Sequence, residues 1–210
     1  LAEQGVRLWI NVNYVAFTNQ LCEGHRYLHD RPDEYAEFVL ATYEHLRDKY
    51  GVTPDSWEVK LEPDNTREWT KEAMAEAMVH TARRLQQAGF TPSFVAPSTT
   101  LASNALPFVR SIWSRETLRP FLRELSYHRY NGVSTAALQA IASKAQAAGI
   151  STAMLEWWDD ANNHEVLHED LTVGRNSAWQ QSEIVAVGGA GASSFAVSTI
   201  DPATPTLATF

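Results

Sequence analysis

Two glutamates stand at the ends of short apolar segments that have the pattern of β-strands. Glu62 follows Val59 and Leu61 in the stretch WEVKLEPDN, and Pro63, which has no backbone N–H to donate, ends the strand at once. Glu156 ends the segment ISTAMLE in a similar way. A carboxylate at such a place is costly unless it is paired or used. The two positions therefore predict either ion pairs or a pair of catalytic carboxyl groups.

The segments around these glutamates alternate between strand-like and helix-like patterns along the whole chain. The strand-like segments are 7–17, 57–63, 90–98, 124–132, 150–158 and 192–200. The helix-like segments are 32–51, 70–89, about 104–122 and 134–149, with a loop and helix at about 164–187. Such alternation indicates parallel strands joined by right-handed crossovers. Two α/β architectures satisfy it: an open doubly wound sheet, or part of an eight-stranded (β/α)8 TIM barrel.

Polar side chains gather at the carboxyl end of each predicted strand. They are Asn13 and Tyr14, Glu62 to Asn65, Ser98 to Thr100, His128 to Asn131, and Glu156 to Asp160. In a parallel barrel these ends form the face on which active sites are built. Glu62 and Glu156 are three βα units apart, so a closed barrel can bring them face to face. Two opposed carboxyl groups are the minimum needed to cleave a glycosidic bond.

Three motifs, in order, resemble the clan A glycoside hydrolases, family 30 and its relatives in particular. LEPDN resembles the Asn-Glu-Pro signature that ends their fourth strand, HRY their sixth-strand His-x-Tyr, and MLEWW the segment of their seventh-strand nucleophile. The segment from Asn65 to Gly89 is similar to their fourth helix. On this alignment the chain covers about six of the eight βα units, strands three to eight. It is expected to be one catalytic barrel domain, 1–210, incomplete at its N-terminus.

The resemblance implies hydrolysis with retention, with Glu62 as acid/base and Glu156 as nucleophile. It implies an oligosaccharide, polysaccharide or glycoside as substrate, and no cofactor or metal. Tyr130 is expected to donate a hydrogen bond to the Glu156 carboxylate and keep it ionised. The full set of side chains expected to contact substrate is Asn13, Tyr14, Asn65, His128, Tyr130, Trp157 and Trp158.

Besides lacking strands one and two, the sequence departs from the family pattern at two places. Leu61 stands where the family has an asparagine that bonds the sugar 2-hydroxyl, and the expected eighth strand, SFAVSTID, lacks the tryptophan that often floors the first sugar subsite. Leu61 is the best support for an alternative function, a barrel that binds carbohydrate but has lost catalysis.

The stretch HEVLH offers a different chemistry, because it matches the H-E-x-x-H motif of zinc hydrolases. On a helix, His164 and His168 would share one face as zinc ligands, with Glu165 as general base. The site would need a third ligand, for which Glu183 is the nearest acidic candidate downstream. Exposed histidines on the segment after the seventh strand are the simpler explanation.

Composition narrows the other function classes. A net charge of −8 argues against nucleic acid or an anionic membrane as the main partner, and no apolar run approaches the ~20 residues of a membrane span. Cys22 is the single cysteine, so neither an intrachain disulfide nor a thiolate zinc cluster forms. At 210 residues with 44% hydrophobic content, the chain suits one large domain. Secreted and cytoplasmic locations both stay open.

Overall fold

The structure, a computed structural model, describes residues 5–16, 27–157, 164–180, 186–187 and 196–197. Its centre is a sheet of six parallel strands that are neighbours in space in the same order as in sequence. The strands are β1 (Asn11–Asn13), β2 (Ser56–Glu58), β3 (Phe94–Leu101), β4 (Leu122–Asn131), β5 (Ser151–Glu156) and β6 (Ala178–Trp179). A doubly wound sheet would reverse its strand order part-way, whereas a barrel does not. The chain therefore forms part of a (β/α)8 barrel, one of the two architectures that the sequence predicts.

In the described ranges, five α-helices connect or follow the strands. They are α1 (Pro32–Tyr50), α2 (Lys71–Gln87), α3 (Ala105–Trp113), α4 (Thr135–Ala148) and α5 (His164–Thr172). Thr70 caps α2 by accepting a hydrogen bond from the Ala73 N–H at 3.1 Å, and α4 ends at Gly149 in the left-handed conformation, φ 67°. The predicted mixed helical region at about 104–122 contains α3 and a separate 3-10 turn, Glu116–Leu118. No helix in the described ranges is long and apolar enough to span a membrane.

The alternation of side chains along β2 separates the core from the barrel interior. Trp57 points outward and donates a hydrogen bond to the Tyr35 hydroxyl of α1 at 2.7 Å, and both rings are fully buried. Val59 lies in the same apolar layer. Glu58 and Lys60 occupy the alternate positions and therefore face the inside of the barrel, where both are buried. The inner face of this strand is thus polar and charged.

The sixth strand of the sheet differs from the prediction. β6 (Ala178–Trp179) lies inside the segment predicted as loop and helix, and it pairs with Ala153 and Met154 of β5. A two-residue strand has no periodicity to detect, and burial against β5 decides its conformation. The predicted strand 192–200 is described only at Ala196–Val197 (β8), which pairs with Ala186–Val187 (β7) in a separate two-stranded sheet.

Candidate active site

Glu62 lies just after β2 and has an unusual backbone conformation. Its φ of 48° and ψ of 61° are left-handed, a region that costs a non-glycine residue roughly 1–2 kcal/mol. Its N–H donates to the carbonyl of Ser98 at 3.0 Å, and Ser98, on the neighbouring β3, is itself left-handed with a φ of 52°. Two strained residues on adjacent strands thus support each other. Their bond directs the Glu62 side chain away from the path that a continued strand would give it.

Asp64 fixes the loop that carries Glu62. Its carboxylate accepts the backbone N–H of Thr100 at 2.8 Å and of Leu101 at 3.2 Å. It also accepts the side-chain amide of Asn104 at 2.9 Å. Charge-assisted bonds of this kind are stronger than neutral ones. They clamp the turn after β2 onto the end of β3 and hold the strained backbone in place.

Both carboxylate oxygens of Glu62 have a hydrogen-bonding partner. Asn65 donates from its amide to Oε2 at 2.8 Å, and His128 Nδ1 lies 3.0 Å from Oε1. His128 is fully buried on β4, directly after an irregularity in the β4–β5 register that lies between Tyr127 and His128. Such bulges re-aim a side chain. Asn65 and His128 thus both bond Glu62, and contact of either with a substrate stays a prediction.

Glu156 ends β5 and is paired in the register with His128. The hydroxyl of Tyr130 donates to Glu156 Oε1 at 2.8 Å, which is the contact predicted from the sequence. One carboxylate oxygen of Glu62, one of Glu156 and one ring nitrogen of His128 all lie within 4.8 Å of one another. The structure therefore brings together the two carboxyl groups that the sequence placed three βα units apart.

Two further charged residues of the interior, Glu58 and Lys60, were not predicted as part of the site. Burial raises the pKa of Glu58, against the opposing effects of the Ser98 hydroxyl, the charge of His128 and the Asn11 amide. Burial lowers the pKa of Lys60 to about 8, although the charges of Glu62 and Asp64 oppose the shift. The signal for both is the alternation itself, since residues 58, 60 and 62 are at strand spacing and all three are charged.

The remaining predicted substrate contacts have different environments. Tyr14 is buried in the core, and its hydroxyl bonds Tyr27 at 2.8 Å and His29 at 2.7 Å. Trp157 packs in a second apolar cluster and is 7% exposed, with the Arg129 guanidinium 5.9 Å from its ring centre. Burial leaves neither ring exposed as a platform for a sugar. The sequence did not show this, because a position at a strand end does not reveal which side of the sheet a residue faces. Asn13 is exposed at the end of β1, and Trp158 lies outside the described residues.

One group of three described side chains has the spacing of a metal site. Within the described ranges, Glu62, His128 and Glu156 are the one set of three suitable side chains, and His128 and Glu62 are already hydrogen-bonded to each other. The HEVLH stretch does form a helix, α5, but His164 and His168 are both exposed and no third described ligand joins them. Glu183 lies outside the described residues. The described residues therefore provide no set of three ligands around His164 and His168.

Similarity to known proteins lies in structure rather than in sequence. No protein-family model matches the chain, and neither does any curated protein. The structure of XacCel5A in complex with cellopentaose aligns over 94% of this chain with a TM-score of 0.65 and 14% identity. The catalytic domain of the GH30 xylanase C from Talaromyces cellulolyticus aligns over 80% with a TM-score of 0.60 and 12% identity. The fold is shared with clan A glycoside hydrolases.

The alignments also give the extent of the chain relative to these structures. A conserved exported protein from Bacteroides fragilis aligns over 76% of this chain with a TM-score of 0.61 and 16% identity. The chain spans 43% of that protein, 42% of the xylanase domain and 70% of XacCel5A. At these identities the similarity establishes the fold alone, and an activity has to be argued from the residues of the site.

Proposed function

We propose that the chain, as one catalytic barrel domain over 1–210, is a glycoside hydrolase that cleaves O-glycosidic bonds with retention. One observation carries the proposal: Glu62 follows β2 and Glu156 ends β5, and one carboxylate oxygen of each lies within 4.8 Å of the other. Retaining enzymes hold their two carboxyl groups about 5–5.5 Å apart, whereas inverting enzymes leave roughly 6.5–9.5 Å for a water. The short separation favours direct attack by one carboxylate on the sugar.

In this mechanism Glu156 is the nucleophile and Glu62 the acid/base. The Tyr130 hydroxyl stabilises the ionised form of Glu156, which attacks the anomeric carbon while Glu62 gives its proton to the departing oxygen. The product of this step is a covalent glycosyl ester of Glu156. Glu62 then removes a proton from water, which attacks the same carbon and releases Glu156. His128 and Asn65 hold Glu62 in the geometry that both steps need.

The test is hydrolysis of a panel of aryl β- and α-glycosides and of oligosaccharides by the wild type and two variants. Glu156→Gly should lower turnover by roughly 10⁴-fold or more, and added azide should restore formation of a glycosyl azide of inverted configuration. Glu62→Ala with azide should give the azide of retained configuration, because the nucleophile is intact. Inverted product from the wild type, followed by NMR, would refute the retaining mechanism.

A matched control separates this mechanism from zinc chemistry. Glu165 is an exposed acid on α5 within HEVLH, so Glu165→Gln should leave hydrolysis unchanged under the two-glutamate mechanism. Exhaustive chelation should also leave the rate unchanged, since neither chemical step requires a Lewis acid. If chelation abolished hydrolysis and zinc restored it, the metal mechanism would replace the one proposed.

A second function, carbohydrate binding without catalysis, is favoured by Leu61. This half-buried aliphatic side chain directly precedes Glu62 and offers no amide to a sugar hydroxyl; its backbone N–H is bonded to the Tyr14 carbonyl at 2.9 Å. Loss of one such contact weakens transition-state stabilisation by a few kcal/mol at most. Saturable binding of an oligosaccharide with no hydrolysis above the uncatalysed rate would select this function.

A further inference from the structure

Glu62, His128 and Glu156 have the donor atoms and the spacing to hold one metal ion. They come from three strands of the sheet: Glu62 follows β2, His128 lies on β4 and Glu156 ends β5. One oxygen of each glutamate and one ring nitrogen of His128 all lie within 4.8 Å of one another. Ligand atoms ~2.0–2.2 Å from a tetrahedral zinc ion are roughly 3.3–3.6 Å apart. Rotation of the side chains, without movement of the strands, therefore suffices to bring the three ligands onto one ion.

The ring of His128 has binding capacity that the described residues do not use. The ring is not exposed at all, and its Nε2 has no hydrogen-bond partner among these residues. Its Nδ1 lies 3.0 Å from Glu62 Oε1, which is the one hydrogen bond of the ring in the described part of the chain. Buried polar atoms are almost always bonded, so an exception at a site calls for an explanation. A neutral imidazole binds a metal through one nitrogen, and a metal shared with Glu62 would cost the ring no other described hydrogen bond.

The charges around this group favour a cation. Among the described residues, neither Glu62 nor Glu156 forms an ion pair with an arginine or a lysine. Lys60 adds positive charge near Glu62, and its ammonium group donates to the Leu61 carbonyl at 2.5 Å. Glu58, a third carboxyl group, is buried on the same inner face, and its charge interacts with that of Glu156. Carboxylates this close repel one another, and a divalent ion would relieve the repulsion.

The donor atoms select the kind of ion. One imidazole nitrogen and two carboxylate oxygens are typical ligands of zinc and similar transition ions, whereas Mg²⁺ and Ca²⁺ prefer oxygen alone. With three protein ligands, the fourth position of a tetrahedral zinc ion stays open to water. The histidine pair of α5, His164 and His168, lacks such a set, because both are exposed and no third described ligand joins them.

We propose that Glu62, His128 and Glu156 together bind one zinc ion reversibly, and that the bound ion inhibits hydrolysis. The ion would occupy one oxygen of the nucleophile and one of the acid/base, so neither group could react with a sugar. Binding of zinc rests on the three side chains alone, whereas inhibition also rests on the proposed function. Zinc is an inhibitor here and takes no part in either chemical step.

Isothermal titration calorimetry tests the binding. The full chain is treated with chelator, dialysed and titrated with zinc chloride, and the wild type should bind one ion at this site. Glu156→Gln and His128→Asn each remove one ligand. Each should weaken zinc affinity about tenfold or more, since even the loss of an outer-shell partner costs about 10–100-fold. Magnesium chloride should give no heat of binding.

A double variant, His164→Asn with His168→Asn, is the matched control. It removes the two exposed imidazoles of α5 and leaves the proposed ligands in place, so it should bind zinc at this site as tightly as the wild type. No binding of zinc by the wild type overturns the proposal. Binding that Glu156→Gln leaves unchanged, or that the double variant abolishes, also overturns it. Circular dichroism establishes that each variant is folded, and Glu156→Gln, which keeps the shape of its side chain, decides the matter if His128→Asn does not fold.

Steady-state hydrolysis of an aryl glycoside is the second measurement. Zinc should raise the apparent KM and leave kcat unchanged, because ion and substrate compete for the same two carboxyl groups, and chelator should restore the metal-free KM. The double variant should be inhibited at the same zinc concentrations as the wild type. Faster hydrolysis with zinc, or a fall in kcat at constant KM, overturns inhibition at this site. If the wild type hydrolyses no glycoside, the proposed function fails, and calorimetry still decides whether the three side chains bind zinc.

Discussion

The two faces of β4 carry buried charged clusters of opposite character. On the outer face, Asp170 accepts from Tyr127 at 2.7 Å, from Arg129 at 2.6 Å and from Trp179 at 2.9 Å, so both of its oxygens are bonded. On the inner face, His128 contacts Glu62 through one nitrogen, and its other nitrogen has no partner among the described residues. The first cluster joins β4 to α5 and β6, and the second joins the ends of the strands.

The difference separates stability from chemistry. A buried carboxylate whose bonds are complete, beside an arginine, serves to hold elements together. A buried imidazole nitrogen without a partner beside a carboxyl group on left-handed backbone is typical of sites that do chemistry. Substitutions in the outer cluster should therefore change folding, and substitutions in the inner cluster should change turnover.

The largest effect on stability is expected for Asp170→Asn. The change leaves the Arg129 guanidinium, whose side chain is 8% exposed, without its buried partner and with only Glu169 at 2.8 Å. Breaking a buried ion pair costs about 3–5 kcal/mol of unfolding free energy. Urea unfolding at constant pH measures it, with hydrolysis per folded molecule expected to stay unchanged. A loss below about 1 kcal/mol would show that the outer cluster does not support the fold.

Tyr130→Phe should have the opposite signature. It removes the 2.8 Å hydrogen bond to Glu156 and leaves the ring, so the fold should be kept while turnover falls roughly 10²-fold, about 2.7 kcal/mol in the barrier. Steady-state kinetics with an aryl glycoside measure the change. Turnover within a factor of two of the wild type would remove Tyr130 from the mechanism.

Lys60→Met sharpens the comparison through pH. Burial lowers the pKa of Lys60 from 10.5 to about 8, so folding must release its proton or bury its charge. The free energy of unfolding of the wild type is reduced by the largest amount below pH 8, and this reduction disappears as pH rises toward 10.5. The wild type should therefore gain about 2 kcal/mol relative to the variant between pH 7 and pH 10.

Urea unfolding of both proteins at the two pH values measures this gain. The same substitution at the exposed Lys49 is the control and should show no such pH-dependent difference. A difference between wild type and Lys60→Met that is constant with pH would mean that Lys60 keeps its charge in the folded protein.

Much of the fold follows from the sequence because its signals are local. The helix boundaries at Thr70 and Gly149 follow from the residue types, a side-chain cap and a glycine in the left-handed conformation. Strand–helix alternation in turn indicates parallel pairing. The approach of Glu62 and Glu156 follows from that alternation once the strands lie in order. What one chain position cannot reveal is the side of the sheet that a residue faces after a strand ends. Trp157 is the example: it was expected to contact a substrate, and its ring packs in a buried apolar cluster.

The rest depends on tertiary contacts. β6 is a strand because β5 offers it an edge and Trp179 has a buried acceptor in Asp170, neither of which is visible in its own two residues. The left-handed conformation of Glu62 is likewise imposed by Asp64 and Ser98 from outside. Such overrides concentrate where function is expected, since strain persists only where the surroundings enforce it.

The left-handed backbone at Glu62 and Ser98 sets two evolutionary pressures against each other. Glycine adopts this region freely, so a population selected only for thermal robustness would drift toward glycine at both positions. Selection for turnover would retain glutamate at position 62, because its carboxyl group is the one that bonds His128 and lies beside Glu156. Natural variation at these two positions would therefore record which pressure has acted: glutamate marks lineages that still use the site, and glycine marks those in which the barrel persists after the chemistry is lost.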